Sequence, residues 1–326
     1  MELKHIINDL ISTSEDAALA SSKWIGRNDE KSADRAAVES MRQSFNQINF
    51  KAQIVIGEGE RDKAPMLHIG EVVGSDKLSP VQFDIAVDPL ECTTKCAHNI
   101  GGAMSSIVVA KTGMLLPAPD VYMSKIASLY DVINLDMSVE DNLQALSEIK
   151  KCDISDLEVT ILDRQRHKNI ISNVLKCGAK IKLISDGDIA GAIMTCLTGG
   201  SDMYIGIGGA PEGVIAAAAI AMLGGHMEGR LLFENESQEK RAASMLKQDL
   251  NNKYDVNKLI NFNSVSDSGE ILFISTGVTS GEFIEGVKVN DGKIITNTVC
   301  IYRDATGNVF NRKINTIRNE KKYFDM

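Results

Sequence analysis

The chain has 326 residues, of which 44% are hydrophobic, and a formal net charge of −9. This length and apolar content suit two lobes with cores of their own and give no sign of disorder. The negative charge excludes nucleic acid as the main partner, since a phosphodiester backbone is repelled except at a strong basic patch. The basic C-terminal cluster Arg312, Lys313, Arg318, Lys321 and Lys322 reads as a solvated tail or face.

The N-terminus alternates charged and apolar residues (Glu2, Lys4, Asp9, Glu15) and lacks the apolar stretch of a signal peptide. From Ser32 onward, cap-type side chains precede Val38, Met41, Phe45 and Ile48, a spacing of three and four that predicts an amphipathic helix with Asp34 in its first turn. A strand over 52–56 ends in Gly57-Glu58-Gly59-Glu60-Arg61-Asp62. A second apolar run, 83–87, delivers Asp88-Pro89-Leu90-Glu91-Cys92-Thr93 through a turn set by Pro89. Between about 156 and 225 the pattern becomes strand and helix in alternation: strand 157–162, helix 167–177 closed by Gly178, strand 180–184, helix 189–197, strand 203–207 and helix 213–223. Three successive strand–helix units imply a parallel layer with helices packed on it. A charged surface helix is expected over 235–252, then strands over 270–276 and 293–303. The predicted architecture is an α/β (α+β) fold in two lobes. The first is discontinuous, residues 1–155 plus about 260–326, and the second spans 156–259.

The chemistry lies in acids that gather at strand and helix ends. Taken singly, Asp34 reads as a helix-start acid, Glu58 as a solvent-facing residue and Asp88 as a turn former. Their recurrence beside glycines makes a joint divalent-metal site the better explanation, because hard cations take oxygen ligands. Gly206-Ile207-Gly208-Gly209-Ala210-Pro211-Glu212-Gly213 follows a strand and opens a helix, where backbone N–H groups suit an anion. With Pro211 in place of the last glycine, it is not a dinucleotide fingerprint. Arg164-Gln165-Arg166 suits a phosphate in an otherwise acidic chain, or else a solvated loop. Ser185-Asp186-Gly187-Asp188 ends another strand, and Tyr122 offers a ring to a sugar or to the core. His68, His98 and His226 show no metal spacing, and the six cysteines lack Cys-x-x-Cys pairing, which fits a reduced, cytoplasmic protein.

Together, Trp24-Ile25-Gly26-Arg27, Ile56 to Glu60, Ala64-Pro65-Met66-Leu67, Val87 to Glu91, Ala118-Pro119-Asp120, Asp186-Gly187-Asp188, Gly206 to Gly213 and Thr276-Gly277-Val278-Thr279 resemble the bacterial class II fructose-1,6-bisphosphatases. The likeness keeps the same order from about residue 10 to 303. It implies the layered α-β-α-β-α sandwich of the lithium-sensitive, metal-dependent sugar phosphatases. By this resemblance Asp34, Glu58, Asp88, Glu91 and Glu212 take Mg2+ or Mn2+, Thr93 aligns the attacking water and Asp62 acts in catalysis. Substrate contacts fall on Glu91, Cys92, Thr93, Tyr122, Arg164, Gln165, Arg166, Asp186, Gly187, Asp188 and Gly209. The implied reaction removes the 1-phosphate of fructose 1,6-bisphosphate in gluconeogenesis, with sedoheptulose 1,7-bisphosphate as a further substrate and a homodimer or homotetramer as the assembly.

Three residues depart from the family pattern. Cys92 stands where glycine is usual, Arg35 replaces a small residue and Gln165 replaces a proline. A thiol beside metal ions raises the expectation of redox inhibition at Cys92. An inositol-phosphate or nucleotide phosphatase, a catalytically weak sugar-phosphate binding protein and, on the strand–helix units alone, an NAD-linked oxidoreductase remain as alternatives.

Overall fold

In this computed structural model, residues 1–58, 66–247, 260–261 and 269–319 are described. The elements in chain order are α1 (Ile7–Ser22), α2 (Glu30–Phe45), β1 (Ala52–Ile56), β2 (Val72–Val73), β3 (Phe83–Glu91), α3 (Thr93–Ala97) and β4 (Met104–Lys111). They continue with β5 (Tyr122–Ser128), α4 (Val139–Lys150), β6 (Glu158–Leu162), α5 (Lys168–Cys177), β7 (Lys180–Ile184), α6 (Asp188–Ile193), β8 (Met203–Gly209), α7 (Ala210–Met222) and β9 (His226–Leu232). The last are α8 (Glu236–Lys247), β10 (Ile260–Asn261), β11 (Ile271–Gly277), β12 (Lys288–Asn290), β13 (Lys293–Arg303) and β14 (Val309–Asn319). Contacts divide the chain into unit 1, Met1–Leu115 with Gly269–Met326, and unit 2, Leu116–Ser268.

Unit 1 holds a mixed sheet in the order β12-β13-β11-β4-β3-β1-β2, with β14 also paired to β13. Strands β1 and β3 run parallel, whereas β3, β4, β11, β13 and β14 pair antiparallel in turn. Strand β3 is buried along nearly its whole length, Asp84 included. Helix α2 buries Ala33, Ala37, Val38, Met41 and Phe45 in one stripe. Its start is capped by Asp29, whose carboxylate accepts the Ser32 N–H at 3.0 Å. The helix therefore begins at Glu30, and Asp34 lies one turn deeper than the sequence predicts. A capping role for Asp34 is thereby removed.

Helix α1 is joined to the sheet by polar contacts. Ser14 Oγ donates to Ser105 O and to Thr276 Oγ1, and the Thr298 hydroxyl lies 2.9 Å from that of Thr276 and 3.4 Å from Glu15 Oε1. Arg318 on β14 closes this network with N–O distances of 2.6 Å to Glu15 and 2.7 Å to Asp16. The expected solvated tail is thus an 11-residue strand as far as Asn319, and Lys321 and Lys322 lie outside the described residues.

Unit 2 holds a six-stranded sheet in the order β10-β9-β5-β8-β6-β7. Strand β6 lies parallel to β7 and to β8, as the three strand–helix units predict. Strand β5 pairs antiparallel with both β8 and β9, so the sheet is mixed rather than parallel. This also corrects the lobe boundary at 155. Residues 116–155 belong with unit 2, because β5 is an interior strand of its sheet and Leu143 and Leu146 of α4 enter its core. Helix α7 is buried on almost every side, which its run of alanines allows. Among the described residues, no helix is long and apolar enough to cross a membrane.

Candidate active-site residues

In unit 1 the acids stand at the ends of the two parallel strands. Register pairs Ile56 of β1 with Ala86 of β3, so Glu58 and Asp88 each follow two residues beyond a paired position. Gly57 permits the close approach that places Glu58. A β-carbon there would sit 2.0 Å from Leu67 O, and Glu58 N–H donates to that same carbonyl at 2.9 Å. The turn expected at Pro89 does not form. Strand β3 runs on to Glu91 with its register broken between Asp88 and Glu91, and the chain turns at Cys92. This irregularity leaves Asp88 partly exposed and carries Glu91 inward to 4% exposure. Thr93 opens α3, and Asp34 lies on α2, which packs against both β3 and α3. Glu60 and Asp62 lie outside the described residues. Among those described, no three Asp, Glu, His or Cys side chains form a ready-made ligand cage.

In unit 2 the singled-out residues follow the C-terminal ends of β6, β7 and β8, where parallel strands commonly present ligand sites. Tyr122 begins β5 directly across from Gly209. The Arg166 guanidinium stacks 4.9 Å over the Tyr122 ring and donates from Nε and Nη2 to Ile207 O at 3.0 and 2.8 Å. Arg164 Nη1 donates to Ser185 O at 2.5 Å, and its Nη2 lies 3.7 Å from Asp186. These arginines are therefore held to the strand ends, while Gln165 between them is exposed. His167 supports the loop from below. Buried completely, its Nε2 accepts the Ile207 N–H at 2.8 Å, so Nδ1 carries the proton that bonds Leu162 O at 2.6 Å. Burial holds this imidazole below its ordinary pKa.

The glycine-rich turn is filled by the chain's own carboxylates. A β-carbon on Gly208 would lie 2.1 Å from Asp188 Oδ2, and one on Gly209 would lie 1.9 Å from Glu212 Oε2. The helix start thus receives the Glu212 side chain in place of the external anion that the sequence suggests. Lys125, which sequence reasoning missed, pairs with Asp188 and donates to Gly209 O at 2.8 Å. Glu212 Oε2 is buried and meets no hydrogen-bond donor among the described residues. Burial, with Asp188 nearby, pushes the Glu212 carboxyl up, and Lys125 partly opposes this.

A match to the family described as bacterial fructose-1,6-bisphosphatase, glpX-encoded, spans residues 4–318. The chain belongs to that family. Its relatives include a protein named D-fructose 1,6-bisphosphatase class 2/sedoheptulose 1,7-bisphosphatase from Synechococcus sp., 39% identical over 90% of each chain. The protein of the same name from Crocosphaera subtropica is 35% identical over 98% of each. Among solved structures, inositol monophosphatase from Anabaena (Nostoc) sp. is 12% identical, with a TM-score of 0.31 over 59% of this chain and 70% of that one. The chain is thus a class II fructose-1,6-bisphosphatase, a divalent-metal-dependent phosphoric monoester hydrolase.

The residues present suit a hard divalent ion. In unit 1 Asp34, Glu58, Asp88 and Glu91 offer only oxygen donors, as does Glu212 in unit 2, whose enclosed Oε2 meets no donor among the described residues. Cys92, where the resemblance leads one to expect glycine, adopts φ 64° and ψ 51°. It thus keeps the left-handed conformation that glycine reaches without strain. Residue Cys92 is only 7% exposed, which does not suit the accessible thiol that redox inhibition needs.

Proposed function

We propose that the chain releases the 1-phosphate of fructose 1,6-bisphosphate to give fructose 6-phosphate in gluconeogenesis. Sedoheptulose 1,7-bisphosphate is the second substrate, Mg2+ or Mn2+ the cofactor, the cytoplasm the location and a homodimer or homotetramer the assembly. The proposed metal-holding carboxylates are Asp34, Glu58, Asp88 and Glu91 in unit 1 and Glu212 in unit 2. The observation that carries the reading is the enclosed, donorless Oε2 of Glu212 beside a loop of strand-anchored arginines.

When bound, a divalent ion polarises phosphoryl oxygens and lowers the pKa of a coordinated water. The remaining work belongs to side chains. Thr93, at the first position of α3, orients the attacking water with its hydroxyl, and Asp62 assists as an acid or base. Arg164 and Arg166 hold the 6-phosphate. Arg166 has five N–H donors and uses two of them on Ile207 O, which leaves three for a phosphate. Binding of this remote group fixes the reacting ester in place. Asp186 and Asp188 accept sugar hydroxyls, Gly187 lets the sugar approach the backbone, and Gly209, whose open side Glu212 fills, is left a main-chain contact to the sugar. The grounds for a weak binding protein lose force, because Cys92 preserves the glycine-like backbone and Arg35 is exposed.

The test is phosphate release by metal-stripped protein from fructose 1,6-bisphosphate and sedoheptulose 1,7-bisphosphate, with Mg2+ or Mn2+ restored. Release that requires the metal is expected. Silence on both sugars, with turnover of inositol monophosphate or a nucleotide, would overturn the reading.

A further inference from the structure

Lys125 lies in the middle of β5 and is 1% exposed. Lysine is almost never buried this deeply unless it is paired. Its ammonium meets Asp188 Oδ2 and, at 2.8 Å, the carbonyl of Gly209. The surrounding chain makes room for this arm. A β-carbon on Gly208 would lie 3.0 Å from Lys125 Nζ, and one on Gly213 would lie 3.0 Å from Lys125 Cδ. Two carboxylates share the neighbourhood, yet they are treated differently. Asp188 is bonded to the ammonium, whereas Glu212 keeps an enclosed oxygen that no donor among the described residues reaches. Without Lys125, Asp188 would be a second buried carboxylate seeking a cation.

We propose that Lys125 is a positioning residue that locks the Asp188 carboxylate in place as acceptor for a sugar hydroxyl and leaves Glu212 as the carboxylate open to a divalent cation. A carboxylate has about four lone-pair sites, so the lysine bond leaves Asp188 able to accept from substrate. The role rests on the sugar-bisphosphate reading above, and it separates substrate recognition from cation binding within one small cluster.

Steady-state phosphate release at saturating Mg2+ tests this with the native chain, Lys125→Met, Asp188→Asn and the double variant. Lys125→Met should raise KM for fructose 1,6-bisphosphate about 10- to 100-fold, the worth of a hydrogen bond to a charged group, with kcat little changed. Asp188→Asn should do the same, and adding Lys125→Met to it should cost little more, because both act through one carboxylate. Calorimetric titration of metal-stripped Lys125→Met with Mn2+ should show binding at least as tight as in the native chain. Unchanged KM in Lys125→Met, additive losses in the double variant, or weakened Mn2+ binding would overturn the proposal. The double variant removes the Lys125 and Asp188 charges together, so neither is left buried without the other. If Lys125→Met alone does not fold, equal KM in Asp188→Asn and the double variant supports the role, and a further rise overturns it. A native chain silent on every sugar bisphosphate but active on inositol monophosphate would instead remove the bisphosphatase reading itself.

Discussion

The residues singled out in the two units differ in charge. In unit 1, Glu58, Asp88 and Glu91 lie at or beyond the ends of parallel strands, and the proposed ligands there are all carboxylates. In unit 2 the corresponding acids stand among Lys125, Arg164 and Arg166, each fixed to a backbone carbonyl. An all-acidic group gains most from a mobile divalent ion, whereas a mixed group is already neutralised in part and suits an anionic sugar. An acidic protein thereby handles a polyanionic substrate.

The widest gap between the units should appear in the size and type of kinetic loss. Asp88→Ala removes a proposed ligand. Loss of an outer-shell partner at metal sites already costs about 10- to 100-fold, so turnover at saturating metal should fall by more than about 100-fold. Titration of metal-stripped protein with Mn2+ should show weakened binding alongside. Retention of more than a tenth of native kcat, to order of magnitude, would mean that unit 1 does not carry the metal chemistry. Arg166→Met should act differently. It removes a charged donor from the proposed 6-phosphate contact, so KM should rise about 10-fold or more while kcat holds. A fall in kcat with KM unchanged would assign Arg166 to the reacting phosphate and erase the distinction between the units.

A smaller effect comes from the support beneath that arginine. Burial lowers the folded-state pKa of His167, so in the window between that value and about 6.5 the unfolded chain binds a proton that the folded chain refuses. The resulting stability is full above about pH 6.5 and is lost as pH falls through the window. His167→Gln keeps one donor and one acceptor without titrating. Its melting temperature should therefore fall less steeply than that of the native chain between about pH 6.5 and 5. Parallel curves would show that His167 does not contribute to the acid limb.

Which parts of this arrangement could be read from sequence follows from the range of the interactions. Strands β6 and β8 carry short apolar stretches, and β7 lies between Gly178 and Gly187, so local signals suffice. Strand β5 places Lys125 in its centre, and a strand lysine reads as solvent-facing. Its burial depends on Asp188, 63 residues away, and on Gly209, 84 residues away, which no local pattern contains. Strand β14 failed for the opposite reason. It is polar and exposed along most of its length, and it is defined by its ladder to β13 and by Arg318 reaching Glu15 across 303 positions. The acids were legible as a group because they recur beside glycines. The deeper placement of Asp34 was not, since Asp29 and Ser32 both resemble caps until a hydrogen bond distinguishes them.

The smallest expected effect concerns the left-handed residue between Glu91 and Thr93. Cys92 is buried within the unit 1 core and yet sits at φ 64°. For an L-residue this conformation costs about 1–2 kcal/mol relative to the right-handed one, and glycine is spared that cost. Replacing Cys92 by glycine alone would confound relief of strain with loss of the buried thiol. The informative comparison is therefore Cys92→Gly against Cys92→Ala, because both delete the sulfur and only alanine keeps the strained β-carbon. Glycine should come out more stable by about 1 kcal/mol in urea unfolding, after its greater unfolded-state freedom has reduced the full difference. Equal midpoints would mean that the chain relaxes out of the left-handed region when the thiol is gone. The conformation that sets Thr93 at the start of α3 would then depend on the sulfur's packing, and unit 1, like unit 2, would have its key backbone turn held by a side chain.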